Sequence, residues 1–278
     1  MLCAYAAPSE QRKSTMSDLI LREDNGHVAR LILNSPGNYN ALSAEMIATL
    51  YTTLAMIGTE EEVRVIILAA NGKAFCAGHD LRQMQAARAN PDGGRAGYTA
   101  LFDACAQLMQ LISTLPQPVI AEVAGVATAA GCQLVASCDL ALASKSAKFG
   151  VNGVDLGLFC STPAVALSRA VPRKAAFEML ATGRFLDAEE AAALGLINRA
   201  VAANRLKAET RALAARIAEK LPAAIAMGKR GFYEQLAHET ADAYEAAGDT
   251  MCANMMLSDT AEGIQAFLEK RKPGWAAE

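Results

Sequence analysis

HVARLILN (27–34), LSAEMIATLYTTLAMIG (42–58) and VRVIILAAN (63–71) follow one another across short links, and their order decides the fold class. The first and third are short apolar runs rich in β-branched residues, whereas the second repeats its apolar residues at helical spacing. Strand, helix, strand in this order makes a parallel βαβ unit. Because the apolar runs are nearly unbroken, the strands are expected to be covered on both faces.

The pattern continues outward from this unit. A helix predicted over 98–115 leads through LPQP into the strand-like VIAEVAG (119–125), and ASCDLALAS (136–144) supplies another buried strand. From Arg173 the periodicity is helical, in AAFEMLATG, DAEEAAALG, LKAETRALAARIAEKL, AIAMGKRGFYEQL and a last stretch ending in FLEKRKPGW, with Gly183, Gly195 and Pro222 as punctuation. The expected organisation is a strand-rich core over 17–172 continuous with a helical region over 173–278. No Pro/Gly/Ser-rich linker separates them. Residues 1–16 have too short an apolar stretch for a signal sequence and read as a disordered tail, with Met16 an alternative start.

Bulk properties exclude several classes. With 278 residues that are 53% hydrophobic, the chain has ample material for a core without covalent staples. A net charge of −3 offers nothing general to nucleic acid or an anionic membrane, and no apolar run reaches the roughly 18 residues a membrane span needs. Seven cysteines without a CxxC pair read as reduced thiols in a cytoplasmic protein, and three scattered histidines give no metal-ligand spacing, so no metal site is assigned. Dinucleotide, nucleoside-triphosphate and nucleophile-elbow motifs are missing.

Two loops of small residues, each leaving a predicted strand, remain: KAFCAGHDLRQM (73–84) and VAGVATAAGCQLVASCDL (123–140). An oxygen gaining negative charge needs two N–H donors converging at about 2.7–3.1 Å, unobstructed by side chains. Ala77-Gly78 and Ala129-Ala130-Gly131 leave their amides accessible, and the second run opens a helix predicted over 132–137, whose start adds free N–H groups. The same small residues also suit tight turns that only allow helix and sheet to pack closely.

Taken together, NSPGNYNALSAEM (34–46), VRVIILAANGKAFCAGHDL (63–81), VIAEVAGVATAAGCQLVASCDLALAS (119–144), KFGVNGVDLGL (148–158), ATGRFLDAEEAAALGLINRAV (181–201) and FLEKRKPGW (267–275) resemble the crotonase (enoyl-CoA hydratase/isomerase) superfamily. Within it, AGHDL, VATAAGCQL and NGVDLGL look most like a divergent subfamily. The resemblance implies an α/β spiral of ββα turns with a helical C-terminal trimerisation region, assembled as homotrimers or homohexamers. It implies an acyl-CoA thioester as ligand, with coenzyme A entering as part of the substrate and no separate cofactor. The N–H groups of His79 and Ala130 would form the oxyanion hole, although the family usually has glycine where Ala130 stands. Asn40, Ala41, Leu42, Ala77, Gly78, Asp80, Leu81 and Arg82 would line the coenzyme A path, mainly through backbone groups. Arg82 and Lys270 match phosphate partners, Lys270 by reaching a neighbouring subunit's site, and both also fit ordinary solvated cations.

Hydratases of this family use two glutamates, and their positions here hold Gln133 and Gly153. Neither can exchange a proton near neutral pH, which argues against ordinary water addition. On an extended VNGVDLG segment, Asp155 would share the face of residue 153 and replace its carboxylate, or serve as a structural acid. His79 matches a histidine of decarboxylase relatives whose tyrosine partner is replaced here by Cys160. Lyase chemistry through His79 and non-catalytic acyl-CoA binding are therefore both alternatives. Asp80 and Gln83 read as a capping box, and Asp139 as tying a loop amide or a basic partner.

Overall fold

The computed structural model describes residues 19–276, so the expected tail over 1–16 and the start at Met16 lie outside the described residues. In chain order the elements are β1 (Ile20–Asn25), β2 (Val28–Leu33), α1 (Ala44–Ile57), β3 (Val65–Ala70), β4 (Ala74–Cys76), α2 (Leu81–Ala87), α3 (Arg95–Thr114), β5 (Val119–Val123), β6 (Val126–Thr128) and α4 (Ala130–Ser137). There follow β7 (Leu140–Ser144), β8 (Lys148–Gly150), α5 (Ser161–Ala170), α6 (Arg173–Thr182), β9 (Phe185–Asp187), α7 (Ala188–Ala193), β10 (Arg199–Val201), α8 (Leu206–Ala218), α9 (Pro222–Gln235), α10 (Thr240–Met255) and α11 (Ser258–Leu268).

Successive strand pairs β3–β4, β5–β6 and β7–β8 each send one strand to a six-stranded sheet, in the order β1-β2-β3-β5-β7-β10, and the next to a four-stranded sheet, β4-β6-β8-β9. Helices close each turn, so the chain climbs as a spiral of ββα turns, as the sequence resemblance implied. The βαβ reading from β2 to β3 holds: the two strands are parallel, with Leu31 opposite Leu68. Both faces of the larger sheet are covered. Ile66 and Leu68 face the main core with Leu50, Leu54, Leu108 and Phe149. Their alternates Val65 and Ile67 pack with Ile120, Leu142 and α8 residues Leu206, Ala214 and Ala218.

Local chemistry accounts for most element ends. Ser43 accepts the Met46 N–H and starts α1, while Gly183 ends α6 in the left-handed conformation. Helix α3 begins at Arg95 rather than 98 because the Asp92 carboxylate accepts the N–H groups of Gly94 and Ala96. The strand expected over 136–144 is confined to Leu140–Ser144, since 136 and 137 finish α4. Helix α4 starts two residues before the predicted 132.

Three findings lay beyond the sequence pattern. A hairpin strand, β1, pairs antiparallel with β2. In the part that reads as helical, β10 extends the larger sheet beside β7 and β9 extends the smaller beside β8. The VNGVDLG segment is not extended, because residues Asn152–Leu156 form a 3-10 turn.

The C-terminal helices are fastened to the core by a buried polar cluster. Lys229 of α9 donates to the carbonyls of Ile112 and Gln117 and to the Asp139 carboxylate at 2.7 Å. Asp139 also accepts the Val119 N–H at the start of β5 and the Tyr233 hydroxyl, so it ties a strand amide rather than a loop amide, together with the expected basic partner. Glu122 pairs with Arg30 at 2.6 Å across the sheet, on the side of Ile120 that α8 covers.

Candidate active site

Strands β4 and β6 are parallel neighbours, so the loops that follow them leave the smaller sheet side by side. Contact between the loops is close. Gly78, at φ +88°, presents its bare Cα so near the second loop that a Cβ would fall 2.8 Å from Ala129 Cβ and 3.2 Å from the Ala130 amide nitrogen. A Cβ on Gly131 would fall 2.1 Å from the Cys76 carbonyl oxygen. The small residues therefore allow this packing and set Gly78, the residue before His79, against the Ala130 amide.

Segment 38–42 braces the first loop. Leu42 donates its N–H to the Gly78 carbonyl at 2.7 Å and accepts from Asp80, and the Ala77 N–H bonds to the Tyr39 carbonyl. This bridge leaves the His79 N–H outside the ladder. Asn40, fully buried at φ +54°, accepts the Ser35 N–H and donates to the carbonyls of Asn71 and Ala74. Its side chain is thus wholly engaged in shaping the turn, and Ala41 and Leu42 are buried behind it.

Asp80 caps α2 by accepting the N–H groups of Arg82 and Gln83, and it takes a further bond from the Asn38 side chain. Burial opposes its charge, yet these donors, Asn38 first, hold its carboxyl below the ordinary value. The expected capping box is only half formed: Gln83 reaches the Ala44 N–H instead of returning to Asp80. Leu81 and Arg82 are exposed on the first turn of α2, and Lys270 is exposed beyond α11, which packs on α10.

The His79 ring is half-buried, edge-on to Phe102 of α3, with Nδ1 3.4 Å from the Leu42 carbonyl oxygen. That contact suits Nδ1–H as donor, which leaves Nε2 as a lone-pair acceptor. Nε2 is inaccessible and has no partner. Burial lowers the imidazole pKa, with the Leu42 contact opposing it, so the ring is neutral near pH 7.

Ala130 is the first residue of α4 and has no preceding helical carbonyl for its N–H. One turn on, Gln133 is 4% exposed and its Oε1 has no partner. Gly153 lies on the 3-10 turn, where a Cβ would fall 2.3 Å from the Leu158 carbonyl oxygen and 2.7 Å from Cys160 Sγ. The space for a side chain at 153 is occupied.

The expectation that Asp155 substitutes for a carboxylate at 153 is corrected by the turn. With about three residues per turn, a two-residue step does not keep the same face. Asp155 is exposed, and its carboxylate lies beside Gly183 at the end of α6, where a Cβ would meet both its oxygens at 2.9 Å. Cys160 and Cys132 are buried; burial pushes the Cys132 thiol up to about 12, and the Cys160 thiol upward. Arg169 is exposed and donates to the Val165 carbonyl in its own helix, and Arg173 is exposed at the start of α6.

Sequence reasoning missed the Thr128 hydroxyl bonded to Asn152 Oδ1 at 2.6 Å, which ties the end of β6 to the turn carrying Gly153. No sequence signal marks it, because the residues are 24 apart and meet only through the parallel pairing of β6 with β8. Two surface cavities lie elsewhere, one of about 510 Å³ on the outer side of α3 around Arg95 and one of about 270 Å³ between Gly58–Arg64 and the start of α9. Among the described residues no three His, Cys, Asp or Glu side chains gather into a set that would hold a metal ion.

The chain as a whole has counterparts among known proteins. The enoyl-CoA hydratase/isomerase family model matches residues 23–278. The chain belongs to the enoyl-CoA hydratase/isomerase family.

A Xenopus laevis relative, enoyl-CoA hydratase domain-containing protein 3, mitochondrial, is 45% identical over 92% of this chain and 85% of its own length. That name is the divergent subfamily which the AGHDL, VATAAGCQL and NGVDLGL segments resemble. The crystal structure of the human protein of that name has 41% identity and a TM-score of 0.88, covering 92% of this chain and 100% of its own. An enoyl-CoA hydratase structure from Mycobacterium smegmatis has 52% identity and a TM-score of 0.88 over 92% of this chain and 98% of its own. The vertebrate relatives are named as mitochondrial, which does not support the expected cytoplasmic location. No helix among the described residues is long and apolar enough to cross a membrane.

Proposed function

We propose that the chain binds an acyl-CoA thioester with the carbonyl oxygen received by the N–H groups of His79 and Ala130, and that it lacks efficient hydratase activity. The observation that supports this reading is the contact of the two loops through Gly78, which precedes His79 and abuts the Ala130 amide, both of these amides being free of other bonds. In a low-dielectric site such a pair stabilises an enolate oxygen. Asn40, Ala41, Leu42, Ala77, Gly78 and Asp80 act as the scaffold of this site, with Leu81 and Arg82 at its rim; Arg82 and Lys270 supply charge for the coenzyme A phosphates. No cofactor beyond the coenzyme A of the substrate is invoked.

Water addition needs an acid and a base flanking the water. The glutamine at 133 and the filled space beside Gly153 supply neither. Assembly as a trimer or a pair of trimers fits the apolar surface of the C-terminal helices, where Phe232, Leu236, Tyr244, Met251, Met256 and Phe267 are exposed.

A second reading, lyase or decarboxylase chemistry through His79, draws on its neutral ring and unpartnered Nε2. The exposed placement of Arg169 and Arg173 gives a malonyl-type carboxylate no buried cation there. Calorimetric titration with crotonyl-CoA beside a hydration assay tests the proposal. Binding with turnover below about one thousandth of an ordinary hydratase's fits it, turnover at the usual rate refutes the loss of activity, and no binding refutes the whole reading. Gln133→Glu is the restoring variant of choice, since Gly153→Glu would collide with the Leu158 carbonyl.

A further inference from the structure

The helix that offers the Ala130 N–H is entered through a residue in an unfavourable conformation. Ala129 has φ +49° and ψ −121°, a region that a side chain with a Cβ occupies only when its surroundings impose it. The direction of the Ala130 N–H follows from that residue, because the peptide joining 129 to 130 turns with its ψ. Whatever holds Ala129 also aims the amide.

Two attachments precede it. The Ala129 N–H donates to the Gly150 carbonyl at 2.9 Å, continuing the register that sets Thr128 opposite Gly150. Beyond that register the strands separate, and the next link is between side chains: the Thr128 hydroxyl donates to Asn152 Oδ1 at 2.6 Å. Asn152 opens the 3-10 turn that carries Gly153, and the Thr128 carbonyl lies 3.1 Å from where a Gly78 Cβ would stand. The pair therefore sits at the junction of the two loops and the 153 turn.

We propose that Thr128 and Asn152 are positioning residues: their hydrogen bond holds the strained Ala129 and so keeps the Ala130 N–H aimed at the thioester oxygen. This rests on the acyl-CoA reading above. Neither side chain is assigned contact with the reacting atoms. Loss of the bond leaves the coenzyme A path intact and lets Ala129 relax toward an ordinary conformation, turning one of the two amides away.

The test separates the carbonyl contact from the rest of the ligand. Butyryl-CoA and its thioether analogue S-butyl-CoA differ by the carbonyl oxygen, so the ratio of their dissociation constants reads the two amide bonds; the full chain should favour the thioester by about tenfold. Thr128→Val and Asn152→Leu should each cut that ratio to about threefold or less while thioether affinity stays unchanged, and Thr128→Ser should keep it. Either of the first two variants suffices, provided its melting curve shows a folded protein. An unchanged ratio in them, or equal weakening of both ligands, overturns the positioning role. A wild-type chain that binds both ligands equally overturns the amide pair and this inference with it, whereas one that binds neither sinks the acyl-CoA reading itself.

Discussion

Two buried polar regions of this molecule are built to opposite rules. Around Asp139 the charged groups are matched: three donors reach the carboxylate, and Lys229 spends its three protons on two carbonyls and that carboxylate. Around Ala130, by contrast, Gln133 Oε1 and His79 Nε2 are shut away from water without partners, and Ala129 is strained. A buried polar group left unmade is costly. The first region fastens α9 to the core at the ends of α3 and β5; the second leaves bonds unmade around the amide that the proposed function uses. An unmade bond is not by itself the mark of a site, since Arg30 Nε and Glu122 Oε2 are also unpartnered beneath α8; the strain at Ala129 is what sets the second region apart.

Breaking the anchor should have the largest effect. Lys229→Met leaves Asp139 without its cation and should lower unfolding stability by about 3–5 kcal/mol, the usual consequence of removing one partner of a buried pair. Replacing both, as Lys229→Met with Asp139→Leu, should recover part of the loss in a urea titration. If the single variant loses less than about 1 kcal/mol, the cluster is not the anchor described. Next in size is Gly131→Ala, whose added methyl meets the Cys76 carbonyl and should cost about 1–3 kcal/mol by displacing α4 from β4.

These two regions also differ in how far the sequence revealed them. The βαβ order, the covered sheet faces and the small-residue loops were all legible, because periodicity and glycine runs are local signals. Asp139 could be read as a tie, but its partners Lys229 and Tyr233 stand 90 and 94 residues away. The strands β9 and β10 are three residues each, too short for a period, and exist because a sheet edge was already there to receive them. The 3-10 turn at Asn152–Leu156 reads as extended in the sequence, since Gly153 and Gly157 give the stretch no pattern, and the bond from the Gly157 N–H to the Val154 carbonyl decides otherwise. At the site, residue identities were visible, whereas Thr128 bonded to Asn152 and the filled space beside Gly153 depend on parallel strands brought together from afar.

On the unsatisfied side, removing an unmatched group should help the fold. Gln133→Leu deletes an orphan acceptor while keeping similar volume, and should leave stability unchanged or raise it by up to about 1 kcal/mol, with weaker acyl-CoA binding. Thermal denaturation of the free protein decides this. A loss above about 1 kcal/mol would mean that Gln133 has a structural partner and would erase the contrast with Asp139.

The smallest effect expected is a pH dependence owed to His79. Burial depresses its folded pKa below the unfolded value of 6.5, so the unfolded chain binds a proton that the folded chain refuses. Folded stability must then fall as pH drops through 6.5 toward the depressed value, level off below it, and be fully present above 6.5. The depressed carboxylates of Asp80, Glu23 and Glu60 act in the same direction but only below about 4.5, which leaves a window between pH 5 and 7.5 in which the imidazole contributes without them. His79→Gln should flatten stability across this window by an amount on the order of 1 kcal/mol or less, read as the difference between melting temperatures at pH 5.5 and 7.5. Equal slopes for the variant and the wild type would place the ring in contact with water, and its Nε2 would then no longer count among the unmade bonds of the site.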